Sequence, residues 1–146
     1  MPLVSSSNSH SMVELRAKAE GLVKMDTFSK SDPFARLTFL TKTGESEIGR
    51  TEVIQDTQSP SWHTAITAAY VFEEVQTIKV EVYDEDVKGS TNLKDHQLQG
   101  SACFLLSELM TSRTGSLTKD LCKLTGGNEM VSVRIPQGAQ AGDRIQ

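Results

Sequence analysis

The sequence predicts an all-β chain folded as an eight-stranded antiparallel β-sandwich, and three observations carry that reading. Val13, Leu15, Ala17 and Ala19 alternate with Glu14, Arg16, Lys18 and Glu20, and Ile78, Val80 and Val82 alternate with Lys79, Glu81 and Tyr83. Strict period two over such a length marks a half-buried strand. Runs of this kind recur along the chain, separated by Gly, Pro, Asn and Ser turn signals, with almost no helical periodicity between them. At 146 residues the chain is long enough to bury a core without disulfides or a structural metal.

Residues 1–11 are serine-rich and polar and are expected to form a flexible N-terminal arm. The domain proper is expected over residues 12–135. Its first strand is the Val13–Ala19 run, and its second is built on Ala35, Leu37 and Phe39. The turn Thr43-Gly44-Glu45 precedes a third strand expected over Ile48 to Ile54. The loop Asp56-Thr57-Gln58-Ser59-Pro60-Ser61-Trp62 leads into a fourth strand running towards Phe72, with Trp62 read as a buried anchor. Ile78 to Val82 is the clearest strand of all. Val87 to Gln97 is a long polar loop, of the kind that is usually functional or mobile. Gly100 to Leu105 reads as a strand and Leu106 to Met110 as a helical turn. Leu117 to Leu124 and Val131 to Ile135 supply the last two strands. Residues 136–146 read as a linker or tail, as though the domain continued into a longer protein.

A net charge of −4 argues against general nucleic-acid binding, which needs a basic face. Cys103 and Cys122 have neither Cys-x-x-Cys spacing nor a histidine pair nearby, so they read as reduced, partly buried thiols. There is no secretory signal pattern, no glycine at position two for myristoylation, and no apolar stretch of transmembrane length. A soluble, cytoplasmic chain is expected. No nucleophile elbow, phosphate loop or zinc signature is present, and no enzymatic activity is expected.

The chemistry concentrates in two acidic loops. The stretch Met25-Asp26-Thr27-Phe28-Ser29-Lys30-Ser31-Asp32-Pro33-Phe34 joins the first two strands, and Tyr83-Asp84-Glu85-Asp86 ends the clearest one. If both loops leave the same end of one sandwich, Asp26, Asp32, Asp84 and Asp86 converge. A hard divalent cation could hold such a cluster together, whereas nothing apolar could. His63 and His96 lack partner spacing and read as surface residues. Arg36, Lys42, Arg50 and Lys79 read as scattered charges rather than a dedicated phosphoinositide groove.

Taken in order, Asp-Thr-Phe-Ser-Lys-Ser-Asp-Pro-Phe, Thr-Gln-Ser-Pro-Ser-Trp and Tyr-Asp-Glu-Asp resemble a C2 domain. Ser29-Lys30-Ser31-Asp32-Pro33-Phe34, Arg50-Thr51-Glu52-Val53-Ile54 and Phe72-Glu73-Glu74-Val75-Gln76 narrow the likeness to the first C2 domain of the copine family. The resemblance covers roughly Met12 to Ile135. It implies the circularly permuted strand order called type II, and a Ca2+-dependent phospholipid-binding module of a copine-like protein acting in signalling or membrane trafficking.

By that resemblance Asp26 and Asp32 match the first-loop ligands and Asp84 and Asp86 the third-loop pair. Met25 adds a backbone carbonyl. The family's fifth aspartate stands three residues before a glycine, here Gly100, so its position is taken by Gln97. A neutral amide offers an oxygen but removes one negative charge. Asp95 is close by but out of register. At least one Ca2+ site is therefore expected, with a second weak or dependent on lipid oxygens. Cation binding would turn an anion-repelling tip into an anion-attracting one. Phe28, Val87 and Leu93 are the candidates to enter the headgroup region, with packing beneath the loop as the other reading of Phe28. The implied partner is an anionic, phosphatidylserine-like membrane, and the implied location the cytoplasm with recruitment to the plasma membrane when Ca2+ rises. The alternative is a Ca2+-independent C2 scaffold that binds protein partners.

Overall fold

The computed structural model describes residues 10–22, 31–122 and 130–134. Among these residues there are eight strands: β1 (His10–Glu20), β2 (Pro33–Thr41), β3 (Gly44–Arg50), β4 (Ile66–Val71), β5 (Thr77–Asp84), β6 (Gln97–Leu105), β7 (Ser116–Asp120) and β8 (Met130–Arg134). One short helix, α1 (Leu106–Met110), follows β6. The strands form two four-stranded sheets, ordered β4-β1-β8-β7 and β3-β2-β5-β6, with antiparallel pairing throughout.

Alternation decides the inner face. In β1 the buried side chains are Val13, Leu15, Ala17 and Ala19, and in β5 they include Ile78, Val80 and Val82. Ala35 and Leu37 of β2, Ala102 and Phe104 of β6, Val133 of β8 and Trp62 complete the layer between the sheets. Leu106 and Leu109 of α1 are fully buried and close the end of the sandwich at which β6 finishes. The last strand, β8, lies between β1 and β7. The permuted order expected from the sequence is thus realised, because the C-terminal strand fills the slot beside the first.

The two halves of β1 have different neighbours. His10 to Leu15 pair with β4, and Arg16 to Glu20 pair with β8. Beyond Leu15 the β4 side is taken over by the β3–β4 loop: the Trp62 N–H donates to the Ala17 carbonyl at 3.1 Å and the Ala19 N–H to the Pro60 carbonyl at 2.9 Å. Trp62 is buried, and its indole N–H donates to the Pro33 carbonyl at 3.0 Å. It is the anchor its loop composition suggested.

The structure corrects several local expectations. The third strand runs Gly44–Arg50 rather than Ile48 to Ile54, because the turn is made by Lys42 and Thr43 and Gly44 already pairs with Thr41. The cysteines are unpaired and exposed, not partly buried. Cys103 is on the outward face of β6, and Cys122 only bridges to Ser101 after β7 has ended. His96 is buried, not a surface residue. Arg36, Arg50 and Lys79 form one network with Glu45, Glu47 and Glu81 instead of standing apart.

Candidate functional site

The β3–β4 and β5–β6 loops meet Ser31 and Asp32, the described residues just before β2, at one end of the sandwich. Hydrogen bonds between them tie that end together. The Asp32 N–H donates to Oδ1 of Asp84 at 2.9 Å, and the Glu85 N–H donates to the Asp32 carbonyl at 2.9 Å. Pro33 faces Asp84 in the β2–β5 register, so these bonds continue the ladder past the strand ends. From the β3–β4 loop, the Asp56 N–H donates to Asp32 Oδ1 at 2.6 Å and the Thr57 N–H to the Ser31 carbonyl at 2.8 Å. Asp56 takes a left-handed backbone, φ 57°, which aspartate tolerates better than most residues.

Asp32 and Asp84, distant in sequence, are therefore adjacent. Asp84 is 1% exposed. Its burial is unusual for an aspartate, whose charged form is costly to take out of water unless hydrogen-bond donors replace the solvent. Asp86, two residues on, is exposed at the rim. Gln97 opens β6 directly opposite Asp84 and is also exposed. Among the described residues no three acidic, histidine or cysteine side chains gather as a metal site. Met25, Asp26 and Phe28 lie outside the described residues.

The donor set fits a hard cation in kind. Asp32 and Asp84 lie side by side, Asp86 follows two residues on in the same loop, and Gln97 stands opposite Asp84 in the strand register; carboxylate and amide oxygens are the ligand types Ca2+ prefers. Asp95, by contrast, is committed to the loop: its Oδ2 accepts the Ser90 hydroxyl at 2.6 Å.

His96 organises the β5–β6 loop. Its Nδ1 accepts the Asp86 N–H at 3.1 Å and its Nε2 lies 2.9 Å from the Ser90 carbonyl. One nitrogen faces a donor and the other an acceptor, so the neutral tautomer with the proton on Nε2 satisfies both. The ring also meets Phe34 edge-on, with centroids 5.4 Å apart, and Phe34 stacks on Tyr83. A 3-10 turn at Leu93–Asp95 and the Arg50 bond to the Thr91 carbonyl at 2.8 Å hold the far side of the loop. Val87 is about half exposed at the tip and Leu93 is half-buried.

Gln99 is the residue that sequence reasoning missed. Period two from Phe104, Ala102 and Gly100 would send Leu98 inward. A bulge between Val82 and Tyr83 on the β5–β6 ladder inserts one extra residue into β6. Leu98 is left 47% exposed, while Gln99 is fully buried and its Nε2 donates to Ser31 Oγ at 3.1 Å. A polar pair, Gln-Leu-Gln, just before a glycine in an otherwise apolar strand was the available signal. Gly100 itself is needed for space: a Cβ there would lie 3.0 Å from Leu121 Cβ.

The fold and the loop end define the class of protein. Residues 14–121 match the C2 domain family model, and the chain belongs to that family. Its curated relatives are copine-family proteins: it is 35% identical over 123 residues to Protein BONZAI 1 of Arabidopsis thaliana, covering 80% of this chain and 21% of that protein. It is 43% identical over 100 residues to Copine-A of Dictyostelium discoideum, covering 68% of this chain and 16% of the relative. The chain thus spans about a fifth of the length of these relatives. Among solved structures, a C2 domain of plant Extended Synaptotagmin 1 superposes with a TM-score of 0.66 at 21% identity, covering 86% of this chain and 92% of that one. BON1-C2B gives a TM-score of 0.63 at 22% identity, covering 88% and 90%. These two likenesses show the fold. Among the described residues no helix is long and apolar enough to cross a membrane.

Proposed function

We propose that this C2 domain is a Ca2+-dependent phospholipid-binding module, occupying the first C2 position of a copine-like protein and bringing it from the cytoplasm to an anionic membrane in signalling or trafficking. The observation that carries the reading is the bond between the Asp32 backbone and the Asp84 carboxylate, which joins the two acidic loops at one end of the sandwich. Asp26, Asp32, Asp84 and Asp86 would hold the ion, with Gln97 and the Met25 carbonyl as further oxygens. A bound Ca2+ supplies positive charge at a tip that is otherwise acidic. Val87, exposed beside Asp86, and with it Phe28 and Leu93, would meet the headgroup region. One structural neighbour, a pair of C2 domains from Extended-Synaptotagmin 2, is in a calcium-bound state.

A second reading, a Ca2+-independent scaffold for protein partners, is favoured by the neutral amide of Gln97 where the family carries its fifth aspartate, and by the acidic charge of the chain. Co-sedimentation with phosphatidylserine vesicles, with Ca2+ and with chelator, separates the two. Binding only with Ca2+ supports the membrane module. Equal binding in both conditions, or none in either, moves the assignment to the scaffold.

A further inference from the structure

On the outer face of the β4-β1-β8-β7 sheet, Arg16 of β1, Arg134 of β8 and Ser116 of β7 fall in one register row. The same three residues line a groove of about 240 Å³. The face as a whole is balanced, with Glu14, Glu20 and Asp120 offsetting Arg16, Lys18 and Arg134. The carboxylates stand in other rows, however. Glu20 and Asp120 share the row of Met130, four residues or about 13 Å along β1 from Arg16. Glu14 lies one row past Arg16 on the other side, opposite Thr67. Among the described residues no carboxylate comes within ion-pair distance of Arg16 or Arg134, and Arg16 donates through Nη1 to the His63 carbonyl. Like charges directly opposite on neighbouring strands are destabilising. This one row lacks an anion, and the residue that completes it is a serine.

Ser116 opens β7, the edge strand of its sheet, and is half-buried. The turn before it leaves Arg113 and Thr114 exposed, and Gly115, at φ 73°, swings the chain into the strand. Local bonds shape this segment: the Ser112 hydroxyl donates to the Ser116 carbonyl at 2.9 Å, and Ser116 Oγ lies 3.1 Å from Thr114 Oγ1. The Ser116 hydroxyl is thus tied only to a neighbour that is itself in solvent. Arg113 stands three residues before Ser116. Protein kinases choose substrates by the charge pattern around the acceptor hydroxyl. An exposed arginine at this spacing, leading into an edge strand, is a pattern that an acidic kinase cleft reads.

We propose that Ser116 is a phosphorylation site for a basic-directed serine/threonine kinase, and that its phosphate locks β7 to β8 and β1 through Arg134 and Arg16. The γ-phosphoryl group of ATP passes to Ser116 Oγ. The Oγ–P bond forms, the bond from that phosphorus to the ADP oxygen breaks, and the hydroxyl proton leaves to the base of the kinase. Phosphoserine carries nearly two negative charges at about pH 7 and three strong acceptor oxygens. Residues directly opposite on neighbouring strands have Cβ atoms about 4.5–5.5 Å apart, so the phosphate is within reach of the Arg134 fork for a two-point contact. Arg16, next in the row, meets the same charge, and the unfavourable arginine pair becomes a phosphate clamp. The inference uses neither the acidic loops nor the membrane reading.

The test treats the folded chain with ATP, Mg2+ and a calmodulin-dependent protein kinase, which takes a basic residue three before its acceptor, and maps the phosphate by mass spectrometry. Phosphate is expected on Ser116, absent in Ser116→Ala and slower to appear in Arg113→Gln. The phosphorylated chain should melt about 3–6 °C above the unmodified one at low ionic strength, with the rise shrinking in about 1 M salt. The double variant Arg16→Gln/Arg134→Gln should still accept phosphate on Ser116 but lose that rise. Arg134→Gln alone, which removes the like-charge pair, should melt no lower than the parent before phosphorylation, so a lost rise is not a lost fold. No phosphate on Ser116, or phosphate only on Ser112, Thr114 or Thr118, overturns the site. A phosphorylated chain that melts no higher, or a rise that survives in the double variant, overturns the clamp.

Discussion

The backbone N–H of Asp32 points at the carboxylate of Asp84, 52 residues away, and donates to it at 2.9 Å. A buried carboxylate on a backbone donor is a charge-assisted bond, among the stronger kinds in a protein. It makes Asp84 both a member of the acidic loop end and the clasp that joins two of its loops. The two roles are separable by substitution.

Asp84→Asn keeps an acceptor oxygen for the Asp32 N–H but removes the charge. Together with Asp86→Asn it should abolish Ca2+-dependent sedimentation with phosphatidylserine vesicles while leaving a folded domain by circular dichroism. Asp84→Ala should also destabilise, by about 1–2 kcal/mol in urea unfolding, because the part-buried Asp32 N–H loses its acceptor. Vesicle binding retained by the double asparagine variant would sink the Ca2+ assignment.

His96→Phe should preserve the edge contact with Phe34 while deleting the bonds to Asp86 and Ser90. Loss of one net hydrogen bond is worth about 1 kcal/mol, so the Asp86 amide should exchange roughly five- to tenfold faster, with strand amides little changed. Uniform acceleration across the sheet would mean that His96 supports the fold rather than the loop.

Gln99→Ala should cost about 2–3 kcal/mol in a denaturant titration, since it leaves a cavity and removes the bond to Ser31. Gly100→Ala, next to it, should cost about 1–3 kcal/mol by pressing on Leu121. A neutral result for the first would show that Ser31 finds another partner readily.

Stability should fall in acid. The Lys79 hydrogen bond holds Glu45 below the usual carboxylate value of 4.5. Burial pushes Glu47 up, but bonds from Arg50 and Arg36 outweigh it and hold it low. Glu52 is likewise raised by burial and more than offset by the amides of His63 and Thr64. Depressed carboxylates contribute stability that is fully present above pH 4.5 and is lost as pH falls through their folded values. Urea midpoints at about pH 7 and about pH 3 should differ, and Glu47→Gln should narrow the gap. An unchanged gap would mean that the Arg36 network is neutral to stability.

Much of this protein was determined by its sequence alone. Alternation in β1 and β5 settled which side chains face the core, because a pleated strand sends neighbours to opposite faces whatever surrounds it. Asp-Pro-Phe and Tyr-Asp-Glu-Asp marked the acidic loops, and Leu106 to Met110 was legible as a helical turn. Other features belong to the tertiary structure because they depend on register between distant strands. The bulge that turns Gln99 inward and Leu98 outward is a property of the β5–β6 ladder, not of either segment. His96 is buried because Phe34, Asp86 and Ser90 surround it. The pairing of Arg16 with Arg134 exists only once the last strand has slid in beside the first. Local pattern chooses a face for each residue; only the assembled sheets decide which charge or donor it meets there.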